Sequence, residues 1–302
     1  RMIQFLIDGL VNGSIIALGA VGLSISYNVM RFANFAQGEV MAVGAYVSLG
    51  VLALMGLGIG KMGPVSFGWP LLVSIVFSIM MTSIVVLITD LLVFRRLRDK
   101  DSSRITFIIV AFGISLIARN VIHLAAGGDQ QFYSFYIPRA VQVFEGLKIV
   151  PDDMLILLIT VLCVVLMHTF LNRTLMGKKM RSVAENPSLA RVIGINVDQV
   201  IRGSWILGAS LAAVSGTLHA HITQLDPEMG FELILPMFAA LIVGGVTSIY
   251  GAVLGGLLIG MSEAIAVAIG WSSYRGAVSF LILILVLILR PHGILGEKER
   301  DA

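Results

Sequence analysis

The chain has 302 residues, of which 57% are hydrophobic and 13% are charged, and its mean hydropathy is +0.95. Because an ordinary soluble domain carries roughly 25% charged residues, this composition excludes a soluble globular protein and indicates an integral membrane protein with several spans. Lys and Arg outnumber Asp and Glu by only 21 to 18 and lie mainly in loops, which argues against a nucleic-acid partner. The single cysteine, Cys163, has no disulfide partner in the chain.

Nine apolar stretches follow one another along the chain. Their approximate bounds are 6–28, 35–56, 69–94, 105–124, 154–171, 202–223, 232–245, 249–270 and 274–289. The stretch 232–245 has only about 14 residues, too few to cross a hydrocarbon core roughly 30 Å thick. We therefore predict an all-α integral membrane protein with a single polytopic transmembrane domain over residues 1–302. It has about eight full transmembrane helices and one short broken or re-entrant helix.

Lys and Arg are distributed unevenly between the loops on the two sides of the membrane. With the N-terminus outside, 15 of the 21 basic residues fall in loops on the inner side and 5 on the outer side, and Arg119 falls within a span. Cytoplasmic loops carry the excess of Lys and Arg in membrane proteins. We therefore predict a periplasmic N-terminus, a cytoplasmic C-terminus, a cytoplasmic loop at 172–202 and a periplasmic loop at 125–153.

The longest polar interruption, Gly177 to Asn196, contains the start and stop signals of a short helix. Asn186 is a good capping residue, Pro187 is tolerated at the first helical position, and Gly194 favours termination. The helix predicted between them, Ser188 to Ile193, is only about 10 Å long and cannot span a membrane. Its side chains include Leu189, Val192 and Ile193 on one side, with Arg191 nearby. This pattern is typical of a docking element, and a solvated basic loop is the alternative.

Three segments carry a resemblance to a known family. The basic run, Ala184-Glu185, the short alanine-containing helix and Gly194-Ile195-Asn196 resemble the cytoplasmic coupling loop of LivH-type permease subunits of bacterial branched-chain amino acid ABC transporters. The run 34–39, NFAQGE, closely matches the N-F-A-[HQ]-G-E signature of these permeases. The run 244–256 is similar to their G-G-x-G-S-x-x-G-A-x-x-G-G turn, with Thr247 where glycine is usual and Tyr250 where proline is usual. The resemblance covers nearly the whole chain.

The resemblance implies a permease of the bacterial inner membrane that works with other subunits. The implied partners are a second permease chain, as in a heterodimer with a LivM-type subunit, two cytoplasmic ATPase subunits and a periplasmic substrate-binding protein. The mixed-charge loop 125–153 either helps to dock that binding protein or is simply solvated. The sequence contains no G-x-x-x-x-G-K-[ST] phosphate loop, so we expect no enzymatic activity and no cofactor, with ATP hydrolysis on the separate ATPase subunits. The residues implied in ATPase coupling are Glu185, Pro187, Leu189, Ala190, Arg191, Val192 and Gly194.

Polar groups and glycines inside the apolar stretches indicate where a solute crosses. Asn34 is predicted to cap the helix that follows it and Glu39 to lie in the second turn of that helix, where a carboxylate also complements the helix dipole. The glycines of 244–251 permit a tight reversal at membrane depth, as in the broken helices of transporters. Glu263 lies near mid-membrane, in a functional site or a helix–helix contact. The predicted path residues are Asn34, Gln37, Glu39, Gly244, Gly245, Thr247, Ser248, Tyr250 and Glu263.

Other observations leave alternatives open. Asp90 and Arg119 lie close enough to span ends to reach the interface, and glycines four apart, such as Gly9 and Gly13, predict closely packed helices. Glycine-bearing polar elements in both halves are compatible with an internal two-fold repeat. His219 and His221 lack a third metal ligand at suitable spacing. An ion-coupled secondary transporter and a passive channel for a small polar solute are the competing functions, and neither requires the capped helix in a basic loop.

Overall fold

The computed structural model describes residues 2–56, 68–133, 141–144 and 147–296. The helices are α1 (Met2–Met30), α2 (Gln37–Leu54), α3 (Trp69–Thr89), α4 (Arg95–Asp99), α5 (Arg104–Ala126), α6 (Pro151–Arg173), α7 (Leu175–Glu185), α8 (Pro187–Val192), α9 (Val197–Ile222), α10 (Met229–Gly244), α11 (Ile249–Ala268) and α12 (Arg275–Leu289). A π-helical turn, Asp90–Phe94, joins α3 to α4, and a 3-10 turn, Ser272–Tyr274, precedes α12. β1 (Val141–Phe144) pairs antiparallel with β2 (Leu147–Ile149).

Seven helices of the described residues are long and apolar enough to cross a membrane, so the prediction of an all-α membrane protein is confirmed, with one small β-hairpin added. The count of about eight full spans included α9. This helix has 26 residues, which is long enough to cross a membrane. Its mean hydropathy is too low for it to count among the seven, because its apolar residues are interrupted by serine, threonine, histidine and charged side chains. The short apolar helix is also confirmed: α10 has 16 residues and contains Pro236.

α1 lies at the centre of the bundle, packed against α6, α9, α10 and α11. Its contact with α11 depends on glycines, because a Cβ added at Gly260 would overlap the backbone of Gly13, and one added at Gly256 would overlap Ala17. Small residues at such a seam let two helix backbones approach closely, and dispersion contacts then stabilise the pair. The predicted glycine faces therefore pack within the chain.

α2 begins inside the bundle rather than at its edge. Gln37, its first residue, donates a hydrogen bond from Nε2 to the carbonyl oxygen of Gly208 (3.1 Å). Gly208 lies 11 residues into α9, roughly 17 Å from its first residue at 1.5 Å per residue. Next to it, a Cβ at Gly38 would overlap the carbonyl of Gly230 in α10. The segment 31–36 therefore leads from the end of α1 into the bundle interior.

Two contacts fix the described part of the 125–153 loop against the bundle. Gln131 forms a backbone bridge with Leu225, and the hydroxyl of Tyr133 donates to the carbonyl of Ala45 in α2 (2.6 Å). Tyr133 is buried, and this burial raises the pKa of its hydroxyl. The loop between α5 and α6 is thus partly folded onto the membrane helices, while its residues 134–140 and 145–146 lie outside the described part of the chain.

Candidate functional site

The predicted short helix is confirmed as α8, which begins and ends one residue earlier than predicted. The side-chain Oδ1 of Asn186 accepts hydrogen bonds from the backbone N–H groups of Ser188 and Leu189 (both 3.0 Å), and Pro187 is the first helical residue. After the helix, Gly194 has φ +85°, a left-handed conformation that glycine adopts without steric cost. The backbone N–H of Ile195 donates to the carbonyl of Ala190 (2.9 Å) and closes the end of α8.

α8 exposes an apolar ridge made of the three large side chains at Leu189, Val192 and Ile193, which are 59%, 82% and 65% exposed. Exposed apolar side chains clustered on a short capped helix are typical of a contact surface. Of the other residues implied in coupling, Ala190 is 2% exposed and packs into a core cluster with residues of α7 and α9. The remaining members are exposed, namely Glu185, Pro187, Arg191 and Gly194.

α7 and α8 are tied to the end of α1 by one side chain. The guanidinium of Arg31, directly after α1, donates to the backbone carbonyl of Ala184 in α7 through Nη2. Arg31 has φ +59°, a left-handed conformation unusual for a residue with a side chain. Arg31, the first residue of the segment 31–36 that leads into the bundle interior, therefore also contacts α7.

An ion pair lies at the start of α2, inside the bundle. Oε1 of Glu39 accepts hydrogen bonds from Nε (3.1 Å) and Nη2 (2.8 Å) of Arg119 in α5. The guanidinium also lies 4.6 Å from the ring centroid of Phe231 in α10, a cation–π contact. The side chain of Glu39 is 2% exposed and that of Arg119 is 16% exposed. Arg119 thus pairs with a buried carboxylate, a partner that the sequence analysis did not name.

Two details of the 34–39 prediction are also corrected. Glu39 lies in the first turn of α2 rather than the second, because the helix begins at Gln37. Asn34 does not cap α2: the capping position is occupied by Ala36, and Oδ1 of Asn34 accepts a hydrogen bond from the backbone N–H of Ala36 (3.1 Å). The asparagine therefore closes a local turn before the helix, which is a common role for this side chain.

A cavity of about 60 Å³ lies beside this turn, between α2, α3, α5 and α9. Most of its lining is apolar, but three lining side chains each have a buried polar atom without a hydrogen-bond partner among the described residues: Asn34 Nδ2, Glu39 Oε2 and Thr82 Oγ1. An unpartnered buried polar group costs roughly 1–3 kcal/mol, and a volume of this size accommodates a few water molecules. The start of α2 is therefore a polar site inside an apolar bundle.

The glycine-rich turn 244–251 lies beside the end of α1. Asn28, two residues from the end of α1, donates to the carbonyl of Thr247 (3.1 Å). Gly244 and Gly245 are buried against the segment after α12, where the N–H of Leu295 donates to the carbonyl of Gly244 (2.9 Å). Gly245 has φ +108°, which completes the predicted reversal between α10 and α11.

The hydroxyl groups of this turn have different environments. Oγ of Ser248 caps α11 by accepting from the N–H of Gly251 (3.0 Å), whereas Thr247 is exposed. Tyr250, half-exposed, shares a hydrogen bond with Nδ1 of His168 in α6, and Asn172 lies beside the pair. The turn thus has protein partners for two of its three hydroxyls.

Glu263 lies in a hydrogen-bonded contact between three helices. Oε1 accepts from the hydroxyl of Ser279 in α12 (2.6 Å) and Oε2 from Nδ2 of Asn12 in α1 (3.4 Å), and the residue is 5% exposed. This is the helix–helix contact that the sequence left open. Glu263 thus links α1, α11 and α12, whereas Glu39 links α2 and α5.

Asp90 has a partner that the sequence analysis missed. Its carboxylate accepts from Nη1 (2.7 Å) and Nη2 (3.1 Å) of Arg98 and from the indole Nε1 of Trp205 in α9 (2.8 Å). The residue is 3% exposed, so these partners hold it inside the bundle. A carboxylate in an apolar stretch needs such partners, and the arginine eight residues later was a visible candidate. No sequence pattern indicated the tryptophan.

Together, the fold and these sites define a multi-pass membrane protein with buried polar groups inside the bundle and an exposed apolar ridge on a short helix at one end. Residues 5–287 match the family described as "Branched-chain amino acid transport system / permease component", and the chain belongs to this family.

Curated relatives match over nearly the full length. The chain is 33% identical to the high-affinity branched-chain amino acid transport system permease protein LivH of Escherichia coli K12, with 98% of this chain and 96% of LivH covered. It is 32% identical to the permease protein BraD of Pseudomonas aeruginosa, with the same coverage of 98% and 96%. PsaBC from Streptococcus pneumoniae, solved in complex with Fab, matches 100% of this chain and 94% of its own at 16% identity and TM-score 0.50, which shows the fold alone.

Proposed function

We propose that the chain is the membrane-spanning permease subunit of an ATP-binding cassette importer. It forms the translocation path for branched-chain amino acids, or a related small amphipathic solute, delivered by a periplasmic binding protein. The observation that carries this proposal is the exposed apolar ridge of α8, on a capped helix in a chain of this permease family. The names of its relatives LivH and BraD support the solute class.

The same proposal assigns partners and orientation. α7 and α8, within the 172–202 loop, face the cytoplasm and contact one of two ATPase subunits, where ATP is hydrolysed. A second permease subunit, of the LivM type, completes the path. The N-terminus is periplasmic and the C-terminus cytoplasmic, which the distribution of Lys and Arg supports. The 125–153 loop, on the opposite side, docks the binding protein.

The contacts of α8 support a route by which ATPase movement reaches the path. Closure of the ATPase subunits displaces α8, which is fixed to α7 and α9 through the cluster containing Ala190. α7 holds Arg31, and Arg31 begins the segment that carries Asn34 and Glu39 into the bundle. In this mechanism the polar start of α2 lines the path together with Gln37. The exposed Thr247 lies at the same end of the bundle as α8.

The experiment replaces the apolar ridge of α8 with charge. The Leu189→Asp/Val192→Asp variant loses two apolar contacts, each worth about 1.5–3 kcal/mol when buried, and must bury two carboxylates in the interface. We expect uptake by the reconstituted transporter to fall by about tenfold or more, while ATPase activity no longer responds to the loaded binding protein. The control is Gln199→Asp, an exposed position in the first turn of α9 where a carboxylate is favoured. Unchanged uptake in the double variant would refute the assignment.

The buried carboxylates of Glu39 and Glu263 favour a second candidate, an ion-coupled secondary transporter. A passive channel is the remaining alternative. We expect liposomes that contain the chain alone to show no gradient-driven accumulation and no equilibration of labelled leucine. Accumulation that depends on a proton or sodium gradient would favour the secondary transporter, and equilibration without a gradient would favour the channel.

A further inference from the structure

The connection between α3 and α5 is a basic elbow at one end of the bundle. The elbow comprises residues 90–105, which contain the π-helical turn, α4 and the first two residues of α5. Its exposed charged side chains are Arg95, Arg96, Asp99, Lys100, Asp101 and Arg104. Four positive charges against two negative ones leave the exposed part of the elbow with a net charge of +2.

The elbow lies at the level of the lipid headgroups. α3 begins at Trp69, a half-exposed aromatic side chain of the kind found at membrane interfaces. From there the chain continues as one helical span of 31 residues to Asp99. At 1.5 Å per residue, a hydrocarbon core roughly 30 Å thick ends about 20 residues after Trp69, next to Asp90. The side chains from Leu91 onward therefore lie in the opposite interface.

Exposed leucines precede exposed arginines by one helical turn in the elbow. Leu91 and Leu92 are 55% and 52% exposed, and each is followed four residues later by an exposed arginine, Arg95 or Arg96. Residues four apart lie on the same side of a helix. This side of the helix thus changes from apolar to basic within one turn, as expected where hydrocarbon gives way to headgroups.

A buried contact separates the arginines of α4 into two groups. Asp90 holds Arg98 against the bundle through hydrogen bonds of 2.7 and 3.1 Å. Arg95 and Arg96 form no ion pair and no side-chain hydrogen bond within the described part of the chain. Both guanidinium groups therefore keep all of their N–H donors for a partner outside the chain.

An anionic phospholipid fits this surface. Its phosphodiester oxygens accept hydrogen bonds from planar guanidinium groups in the paired geometry that arginine favours, and its acyl chains lie at the level of Leu91 and Leu92. An acidic protein surface supplies the negative charge but no hydrocarbon for the leucines. A zwitterionic phospholipid carries its own cation beside the phosphate, which weakens its attraction to a surface of net positive charge.

We infer that the elbow binds an anionic phospholipid. The phosphate lies between the guanidinium groups of Arg95 and Arg96, and the acyl chains lie along Leu91 and Leu92. Arg98, held by Asp90, takes no part in the contact. The inference rests on the membrane-spanning fold and is independent of the proposed importer function.

The test measures lipid retention by the purified full chain. The protein in mild detergent receives equal amounts of phosphatidylglycerol and phosphatidylcholine with identical acyl chains, and the bound lipid is counted by native mass spectrometry. We expect phosphatidylglycerol to be retained in clear preference to phosphatidylcholine. Arg95→Gln/Arg96→Gln is expected to lower the affinity for phosphatidylglycerol by about 10- to 30-fold, the effect of two basic residues at an anionic lipid surface.

The matched control is Arg173→Gln/Arg202→Gln. It removes two exposed arginines, one at the end of α6 and one in the second turn of α9, and changes the net charge by the same amount. We expect it to retain phosphatidylglycerol as the parent does. Arg95→Lys/Arg96→Lys keeps both charges without the planar donor groups, and its affinity is expected to lie between those of the parent and the glutamine variant.

Two further arms distinguish other partners with the same chemistry. Inorganic phosphate in large excess is expected to leave the lipid bound, because it offers no acyl chain to Leu91 and Leu92. Displacement by phosphate would replace the lipid site with a phosphate-ion site. Assembly with the ATPase subunits is likewise expected to leave the lipid bound, and its loss on assembly would assign the elbow to a protein contact instead.

Three outcomes would overturn the lipid site outright. The first is equal retention of phosphatidylglycerol by Arg95→Gln/Arg96→Gln and by the parent. The second is an equal loss in Arg173→Gln/Arg202→Gln, because the attraction would then belong to the whole basic surface. The third is retention of phosphatidylcholine as strong as that of phosphatidylglycerol. None of these measurements uses ATP or a transported solute, so a failure of the proposed function is recognised separately.

Discussion

Replacing Asp90 tests whether the junction of α3, α4 and α9 is held by its buried carboxylate. In Asp90→Ala the indole N–H of Trp205 and the guanidinium of Arg98 lose their acceptor together. A buried donor left unpaired costs about 1–3 kcal/mol, and breaking a buried ion pair costs 3–5 kcal/mol. The side chain of Arg98 is 20% exposed and can regain some hydration. We therefore expect a total loss of roughly 2–4 kcal/mol.

The loss of stability is measured as the thermal unfolding midpoint of the purified protein in detergent. The midpoint is read from the fraction of protein that remains monodisperse after heating. Asp90→Asn retains an acceptor oxygen for Trp205 and should lower the midpoint by less than Asp90→Ala. The control is Thr169→Ala, on an exposed residue of α6 whose hydroxyl donates to the carbonyl of Val165 in its own helix. A surface change of this kind stays within about 0.5 kcal/mol. Equal midpoints for Asp90→Ala and Thr169→Ala would refute the structural role of the carboxylate.

Three further predictions concern other parts of the chain. Gly260→Ala should lower the thermal midpoint markedly, because the added Cβ overlaps the backbone of Gly13, whereas Gly113→Ala in α5 has nothing within 4 Å and should leave it unchanged or raise it. Asn186→Ala removes the cap of α8 at a cost of about 1 kcal/mol and should weaken the response of ATPase activity to the loaded binding protein without lowering the midpoint of the membrane helices. Thr247→Cys, exposed in the turn before α11, should react with aqueous thiol reagents at a rate that differs between nucleotide-free and ATP-trapped transporter, and inertness in every state would remove Thr247 from the path.

The sequence predicts the local features of this protein well. Hydropathy locates the membrane helices, and Asn186, Pro187 and Gly194 define α8 within one residue at each end, because capping depends on neighbours a few positions away. The glycine pairs of α1 and α11 likewise indicate a close helix contact, and Gly13 and Gly260 make it. In each case the sequence signal lies within one or two helical turns, even where the contact that it indicates joins distant helices.

Partners distant in sequence were missed. Glu39 and Arg119 are separated by 80 residues, and Asp90 and Trp205 by 115, so no periodicity relates them. The contact between Asn28 and the turn 244–251 was missed for the same reason, because it spans 219 residues. Where α2 begins was also not predictable, since Gln37 obtains its hydrogen bond from Gly208 across the bundle.

The end of α1 connects the separate sites. Asn28 holds the turn before α11, and Arg31 holds α7, the helix that precedes α8. The segment after Arg31 has only five residues before α2 begins at Gln37, and it contains Asn34. A segment of five residues spans at most about 18 Å, so it sets an upper limit on how far Arg31 and the start of α2 can move apart. In the proposed mechanism, a shift of α7 that keeps the Arg31 contact and exceeds the slack of this segment also moves the start of α2, which carries Glu39.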